Sequence, residues 1–386
     1  MTQISYFDQN TKLIYGDGCV AQVGKSLHKF GVRKALIATD PGIVAAGIIE
    51  RVVDSVSRSN IKCFIFDEIE PNPCFETVEL MARLYQEQNC SGIVAVGGGS
   101  PIDAAKGAGI LVTNDADLRE LANGQQISAE LPPFVAIPTT VGTGSEVTKF
   151  AVLTDHDTCQ KLVLTSDMLI PDLAILDPEV VRSLPSQIVA MTGMDALTHA
   201  IESILSVFAK PSSDALASEA ISLITHSLAT AVYSNNNSEE GQTARRQMLY
   251  ASTLAGLAFN DALLGLVHGM SHPLTSYYGV PHGLANALLL PHVMRFNAPA
   301  CVPALERVAH AMAKPSTVEA AIDAVQQLIS KLNVPSSLRE LGVSEEFMPY
   351  MVEDAFESTN AQLVNPRKAT KEEIATLYRQ SFCSNQ

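Results

Sequence analysis

The chain has 386 residues, too many for one compact core and suited to two domains. It is 47% hydrophobic with a mean hydropathy of +0.15, enough to fill a core, and no apolar run is expected to reach the length that spans a bilayer. A net charge of −15 argues against nucleic acid or an anionic membrane surface as a main partner, because both need clustered Lys and Arg.

The N-terminus begins MTQISYFDQN, with polar residues where a signal peptide would need an apolar core. The seven cysteines (Cys19, Cys63, Cys74, Cys90, Cys159, Cys301, Cys383) are odd in number, scattered and without a CxxC pair. A protein of the reducing cytoplasm is expected.

Gly16-Asp17-Gly18 opens a near match to the dinucleotide fingerprint G-x-G-x-x-G. It reads as a chance match, since no strong strand precedes it and no acid follows at the right distance. Lys34 to Asp40 reads as a strand ending on an acid, and Cys63 to Asp67 as a second. Asp40 could accept hydrogen bonds from a ribose 2′-hydroxyl, which favours NAD over NADP, or it could simply start a turn before Pro41. Phe75 to Asn89 reads as a helix.

Gly92 to Val96 is a third strand, running into Gly97-Gly98-Gly99-Ser100, and a helix follows. Glycines there let a phosphate approach the backbone at a helix N-terminus, although a tight strand-to-helix turn would look the same. Phe134 to Ile137 is a fourth strand, followed by Pro138-Thr139-Thr140-Val141-Gly142-Thr143-Gly144-Ser145. Two such loops at successive strand ends suggest a shared ligand site, because α/β sheets bind ligands at the carboxyl ends of strands. Strands alternating with helices imply parallel pairing.

After about residue 185 the strand pattern stops. Ser213 to Tyr233, Ala244 to Phe259 and Val318 to Leu332 carry helical spacing. Leu184-Pro185-Ser186 is the expected boundary, with Ser186 capping the next helix. The expected division is a dinucleotide-binding α/β domain over 1–185 and an all-helical domain over 186–386.

Asp195 and His199 lie at i and i+4, on one face of a helix inside the apolar segment Ile188 to Leu205. An ionised Asp buried there without a partner would cost several kcal/mol. His268, His272, His282 and His292 crowd one short stretch, although the chain has only nine histidines. Three imidazoles from Asp195, His199, His268 and His282, with the carboxylate, make a complete set of donors for a divalent transition metal. The alternative is ordinary structural histidines. With no Cys ligand, Fe(II) or Zn(II) suits the set, and Ni(II) could substitute.

Four stretches together carry a family resemblance: GGGSPIDAAK, PTTVGTGSEVT, TGMDALTHAIE, and GLVHGMSHPLTSYYGVPHGLANALLLPHVMRFN. The chain resembles the iron-containing (group III) alcohol dehydrogenases over its full length, in the branch with lactaldehyde reductase and 1,3-propanediol dehydrogenase. That resemblance implies a dehydroquinate synthase-like fold, with an α/β dinucleotide-binding domain and a helical one. It implies Asp195, His199, His268 and His282 as metal ligands. Gly97, Gly98, Gly99 and Ser100 would hold the pyrophosphate, with Asp103 close by. Thr139, Thr140, Thr143 and Ser145 would line the rest of the NAD. Lys161 would approach the nicotinamide ribose, and Asn72 and Pro73 the adenine. His272 would be the catalytic proton relay.

One departure stands out: relatives often carry a Cys-Thr pair before Asn-Pro-Arg, whereas Asn365-Pro366-Arg367 here follows Ala361. The expected activity is metal-dependent hydride transfer between NAD(H) and a small neutral alcohol, diol or aldehyde, in a homo-oligomer. The alternatives are a glycerol dehydrogenase-like or dehydroquinate synthase-like reaction on the same scaffold, or a metal-binding protein without catalysis.

Overall fold

The structure, a computed structural model, describes residues 10–157 and 160–382. By internal contacts the chain divides into two compact units. Among the described residues, one comprises 10–140 with 144–184, and the other 141–143 with 185–382.

Among the described residues, the first unit is built on eight strands: β1 (Lys12–Tyr15), β2 (Lys34–Ala38), β3 (Lys62–Phe66), β4 (Gly92–Gly97), β5 (Phe134–Pro138), β6 (Phe150–Asp155), β7 (Gln160–Thr165) and β8 (Leu173–Leu176). Its helices are α1 (Val23–Lys29), α2 (Pro41–Ala45), α3 (Ile49–Arg58), α4 (Phe75–Glu87), α5 (Gly99–Thr113) and α6 (Leu118–Ala122). Six strands form one sheet in the order β1-β8-β5-β4-β2-β3, and every pairing in it is parallel. All six residues of β4 and all five of β5 are buried, as expected of a parallel strand covered on both faces. The chain builds outward from β2 to β3 and then returns to β4, so the strand order reverses between β2 and β4. That reversal opens the crevice where doubly wound sheets bind ligands.

Two features of this unit differ from the sequence reading. A strand, β1, does precede Gly16, but the turn after it is already filled, because Gly18 N–H and Val20 N–H both donate to the Asp177 carboxylate at 3.0 Å. The reading also omitted strands: β8, which lies between β1 and β5 in the sheet, and the antiparallel hairpin β6–β7, whose first strand alternates between half-buried and buried residues.

The second unit is helical: α7 (Ser186–Leu205), α8 (Pro211–Tyr233), α9 (Glu239–Ala262), α10 (Leu266–Tyr278), α11 (His282–Asn297), α12 (Val302–Ala311), α13 (Val318–Lys331), α14 (Met348–Glu357), α15 (Thr359–Val364) and α16 (Lys371–Ser381). Ser186 is the first helical residue of α7 rather than its cap. Pro185 holds the capping position and makes no side-chain bond.

By length and composition alone, α7 and α8 are apolar enough to cross a membrane, which corrects the expectation that no run reaches that length. In α7, 83% of the most apolar stretch is buried inside the protein, against 44% in α8. A helix packed on all sides needs apolar residues all round, so the central helix of a bundle resembles a membrane span in composition. Into this apolar helix the chain places three buried ionisable side chains, Asp195, His199 and Glu202.

Candidate metal centre and nucleotide cradle

In the helical unit, Asp195 and His199 project from one face of α7, His268 is the third residue of α10, and His282 is the first of α11. Asp195 Oδ1 lies 3.7 Å from His199 Nε2, 3.9 Å from His268 Nε2 and 3.7 Å from His282 Nε2. One donor atom each from Asp195, His268 and His282 falls within a mutual 4.8 Å. His199 stacks on His268 with ring centroids 4.8 Å apart, and Phe259 backs it at 4.4 Å.

Each ring is held from behind. His199 Nδ1 meets the Gly142 carbonyl at 3.2 Å, and His268 Nδ1 meets Glu202 Oε2 at 2.6 Å. His282 Nδ1 lies 3.4 Å from Ser271 Oγ, whose own proton goes to the His268 carbonyl. A carbonyl accepts only, so His199 carries its proton on Nδ1, and the partners of the other two rings favour the same tautomer. All three Nε2 atoms are therefore left facing Asp195. Burial holds the His268 imidazole well below its ordinary 6.5, so that ring is neutral.

The side-chain amide of Asn286 donates to Asp195 Oδ1 at 2.7 Å and approaches the Nε2 atoms of His268 and His282, both at 3.2 Å. Its own Oδ1 is buried without a partner. Two amide hydrogens cannot serve three acceptors. A compact cation can, and a carboxylate with three neutral imidazoles is the donor set of a divalent transition metal. The residues present therefore fit such an ion. His272 stands beside them, its ring centroid 5.2 Å from that of His282 and 6.3 Å from that of His268.

In the sheet unit, Gly97, Gly98 and Gly99 lead from β4 into α5, whose N-terminus has no side-chain cap. A Cβ on Gly98 would lie 2.9 Å from Thr140 Cγ2, so the backbone passes the next strand end too closely for any side chain. The hydroxyls of Thr139 and Thr140 are buried there without hydrogen-bond partners. Uncapped N–H groups at a helix start and unpaired hydroxyls fit an anionic, polar ligand such as a dinucleotide pyrophosphate.

Asn72 joins this cluster, its N–H donating to Ser100 Oγ at 3.2 Å and its Oδ1 accepting from Lys161 Nζ at 2.7 Å. Pro73 follows, its carbonyl accepting from Thr154 N–H. Asp40 caps α2 by accepting from Ile43 N–H at 3.0 Å, the turn-starting role.

Asp103 has both oxygens engaged, one by Ser145 Oγ and the other by Val152 N–H at 3.0 Å. Lys106 is fully buried and its ammonium ties the carbonyls of Ser145, Thr148 and Phe150 at 2.8, 2.7 and 2.7 Å. Asp103, Ser145 and Lys106 thus hold the strand-end loop in shape. Thr143 belongs to the other unit by its contacts, with Gly142.

The sequence reading missed Glu202, Asn286 and Ser271. Glu202 and Asn286 had a signal: each is a polar residue in an apolar helical run, spaced one turn from His199 or His282.

A parallel sheet with a glycine turn at its reversal point, and a helical unit with a buried carboxylate and three imidazoles facing it, are the two parts of a nucleotide-dependent metal oxidoreductase. Residues 10–178 match the family described as iron-containing alcohol dehydrogenase, and residues 189–382 match the Fe-containing alcohol dehydrogenase family, C-terminal. The 1,3-propanediol dehydrogenase of Klebsiella pneumoniae is 41% identical over 377 residues, covering 95% of this chain and 96% of that protein. A crystal structure of 1,3-propanediol oxidoreductase superposes with a TM-score of 0.94 at 40% identity, over 98% of this chain and 100% of the other. Sulfoacetaldehyde reductase from Bifidobacterium kashiwanohense, solved in complex with NAD+, gives a TM-score of 0.91 at 30% identity, over 99% and 100% of the two chains. The chain belongs to the iron-containing alcohol dehydrogenase family, in the branch of 1,3-propanediol dehydrogenase and lactaldehyde reductase. Membership makes it an oxidoreductase.

Proposed function

We propose that the protein transfers hydride between NAD(H) and a small neutral primary alcohol, diol or aldehyde. Asp195, His199, His268 and His282 hold the divalent metal, Fe(II) first, with Zn(II) or Ni(II) as substitutes. The observation that carries this reading is the convergence of three imidazole Nε2 atoms on one buried Asp195 oxygen, at 3.7, 3.9 and 3.7 Å. When bound, the metal supplies Lewis acidity at the substrate oxygen and NAD supplies the hydride carrier.

The chain's own residues do the rest. Asp195 contributes the negative charge that a cation needs, and the three rings add nitrogen donors. His272 holds an imidazole beside the donor set and passes the alcohol proton toward solvent. Gly97, Gly98, Gly99 and Ser100 receive the pyrophosphate at the start of α5, and the hydroxyls of Thr139 and Thr140 complete that cradle. Thr143 and Ser145 continue the lining, and Asp103 holds Ser145 in place. Lys161, steadied by Asn72, reaches the nicotinamide ribose, while Asn72 and Pro73 border the adenine. Asp40 at the end of β2 disfavours a 2′-phosphate, hence NAD over NADP.

A neutral substrate is supported by the lack of any Lys or Arg within ten residues of His268 or His282. The relatives named above are dehydrogenases and reductases, which favours this reading over a lyase on the same scaffold. A cytoplasmic homo-oligomer completes the proposal. The free thiols of Cys19, Cys63, Cys74, Cys90 and Cys301 are consistent with a reducing compartment.

The test is NADH absorbance with protein purified without oxygen, a panel of short alcohols, diols and aldehydes, and added Fe(II), Zn(II) or chelator. Turnover that depends on metal is expected. Equal turnover by metal-free protein would defeat the reading.

A further inference from the structure

The start of α10 is capped in an unusual way. Gly265, at its capping position, has no side chain to offer, so the N–H groups of the first turn depend on residues far away in sequence. Leu266 N–H donates to Asn365 Oδ1 at 3.3 Å, and Val267 N–H donates to Glu202 Oε1 at 2.7 Å. The other oxygen of the same carboxylate, Glu202 Oε2, meets Nδ1 of the next residue, His268, at 2.6 Å. Asn365 is itself locked by a reciprocal amide pair with Asn297, at 2.9 and 2.7 Å. Glu202 is 4% exposed, so water does not compete for these bonds.

We propose that Glu202 is a positioning residue of this site: one oxygen caps α10, the other fixes the His268 proton on Nδ1, and the Nε2 lone pair is thereby committed to the metal. The inference rests on the metal-binding reading above. Outer carboxylates of this kind orient ligating imidazoles, and their loss typically lowers metal affinity about 10- to 100-fold.

Gly265 supports the assignment. A Cβ there would lie 3.1 Å from Glu202 Oε1 and 3.0 Å from Asn365 Oδ1, so a side chain would push against both acceptors at once.

A purely structural cap and a positioning group respond differently to Glu202→Gln. The glutamine Oε1 still accepts from Val267 N–H, so the cap survives. Its amide nitrogen then faces His268 Nδ1, which must become the acceptor, and the ring proton moves to Nε2. Three measurements on the full chain decide the matter. The first is Zn(II) affinity by competition with a chromophoric chelator. The second is the His268 tautomer in metal-free protein by nitrogen-15 NMR with labelled histidine, assigned by loss of the signal in His268→Gln. The third is the melting temperature of metal-free protein.

The expected result for Glu202→Gln is about 10- to 100-fold weaker Zn(II) binding, a switched tautomer and an undiminished metal-free melting temperature. Gly265→Ala should weaken Zn(II) in the same direction. Unchanged affinity in Glu202→Gln, or an unswitched tautomer, overturns the proposal. If Glu202→Gln does not fold, the parent still decides: an Nε2–H tautomer of His268 in the metal-free parent overturns it, and an Nδ1–H tautomer with weakened Zn(II) in Gly265→Ala supports it. A parent that takes up no Zn(II) defeats the metal reading instead, while its tautomer still reports on Glu202.

Discussion

Among the described residues, two trios of donor side chains lie close enough to share a cation. Asp195, His268 and His282 form one, and Cys74, Glu76 and His156 form the other, each within a mutual 4.8 Å. In the first, both rings are held from behind, His268 by Glu202 and His282 by Ser271, and Asp195 accepts from the Asn286 amide. In the second, the Glu76 and His156 side chains are 58% and 63% exposed and stand 3.7 Å apart. The Cys74 thiol is pushed up by burial, away from the thiolate form that binds metal, and it leans on Thr77. Proximity is common to both trios. What distinguishes a site is that its donors are withdrawn from solvent and aimed by neighbours.

That contrast can be broken most forcefully at the first trio. His268→Ala and His282→Ala should lose metal retention and turnover, with several kcal/mol of transition-state stabilisation gone, roughly a thousandfold in rate. His310→Ala, on the exposed side of α12, should do neither. Metal content and kcat/KM measured together check this.

Buried imidazoles should also cost the helical unit stability in acid. Burial holds His292 down to about 4 from 6.5, so the unfolded chain takes up a proton before the folded one does. The folded state therefore keeps its full advantage above pH 6.5 and loses it as pH falls toward 4. The lost share is at most roughly 3 kcal/mol for this residue. Urea unfolding of metal-free protein across that range should show His292→Leu losing less stability than the parent.

A smaller effect is expected at Asn286. Asn286→Leu removes the amide that faces Asp195 and both rings, and should destabilise metal-free protein by about 1–3 kcal/mol. Zn(II) should then raise the melting temperature of the variant more than that of the parent, since a cation replaces the lost donor. The smallest effect belongs to the second trio. Cys74→Ser and His156→Ala should leave metal content and turnover unchanged, and a metal lost on either substitution would erase the distinction drawn above.

Much of this was legible in the sequence. Four strands, β2, β3, β4 and β5, announce themselves as apolar runs ending in glycine, threonine or aspartate, whereas the inner strand β8 is only four residues long and was not read. Asp195 and His199 stand out because a helical carboxylate in an apolar segment demands a partner. The hairpin β6–β7 was not legible, because its half-buried alternation follows directly on a polar loop and reads as more of it. Glu202 was in plain view within the α7 run, but its importance depends on the first turn of α10, more than sixty residues later. The filled turn at Gly18 is invisible for the same reason, since Asp177 lies 159 residues away.

The contact between α10 and α15 has a consequence for how this chain can change. A Cβ on Gly269 would fall 2.5 Å from Ala361 Cβ, so the two helices touch at bare backbone and a methyl group. Neither residue can grow unless the helices separate, and α10 carries His268 on one side of Gly269 and His272 on the other. Any enlargement at 361 is therefore epistatic with 269 and displaces both imidazoles by leverage. Variation at this contact would shift His268 and His272 together without introducing a single new group beside them.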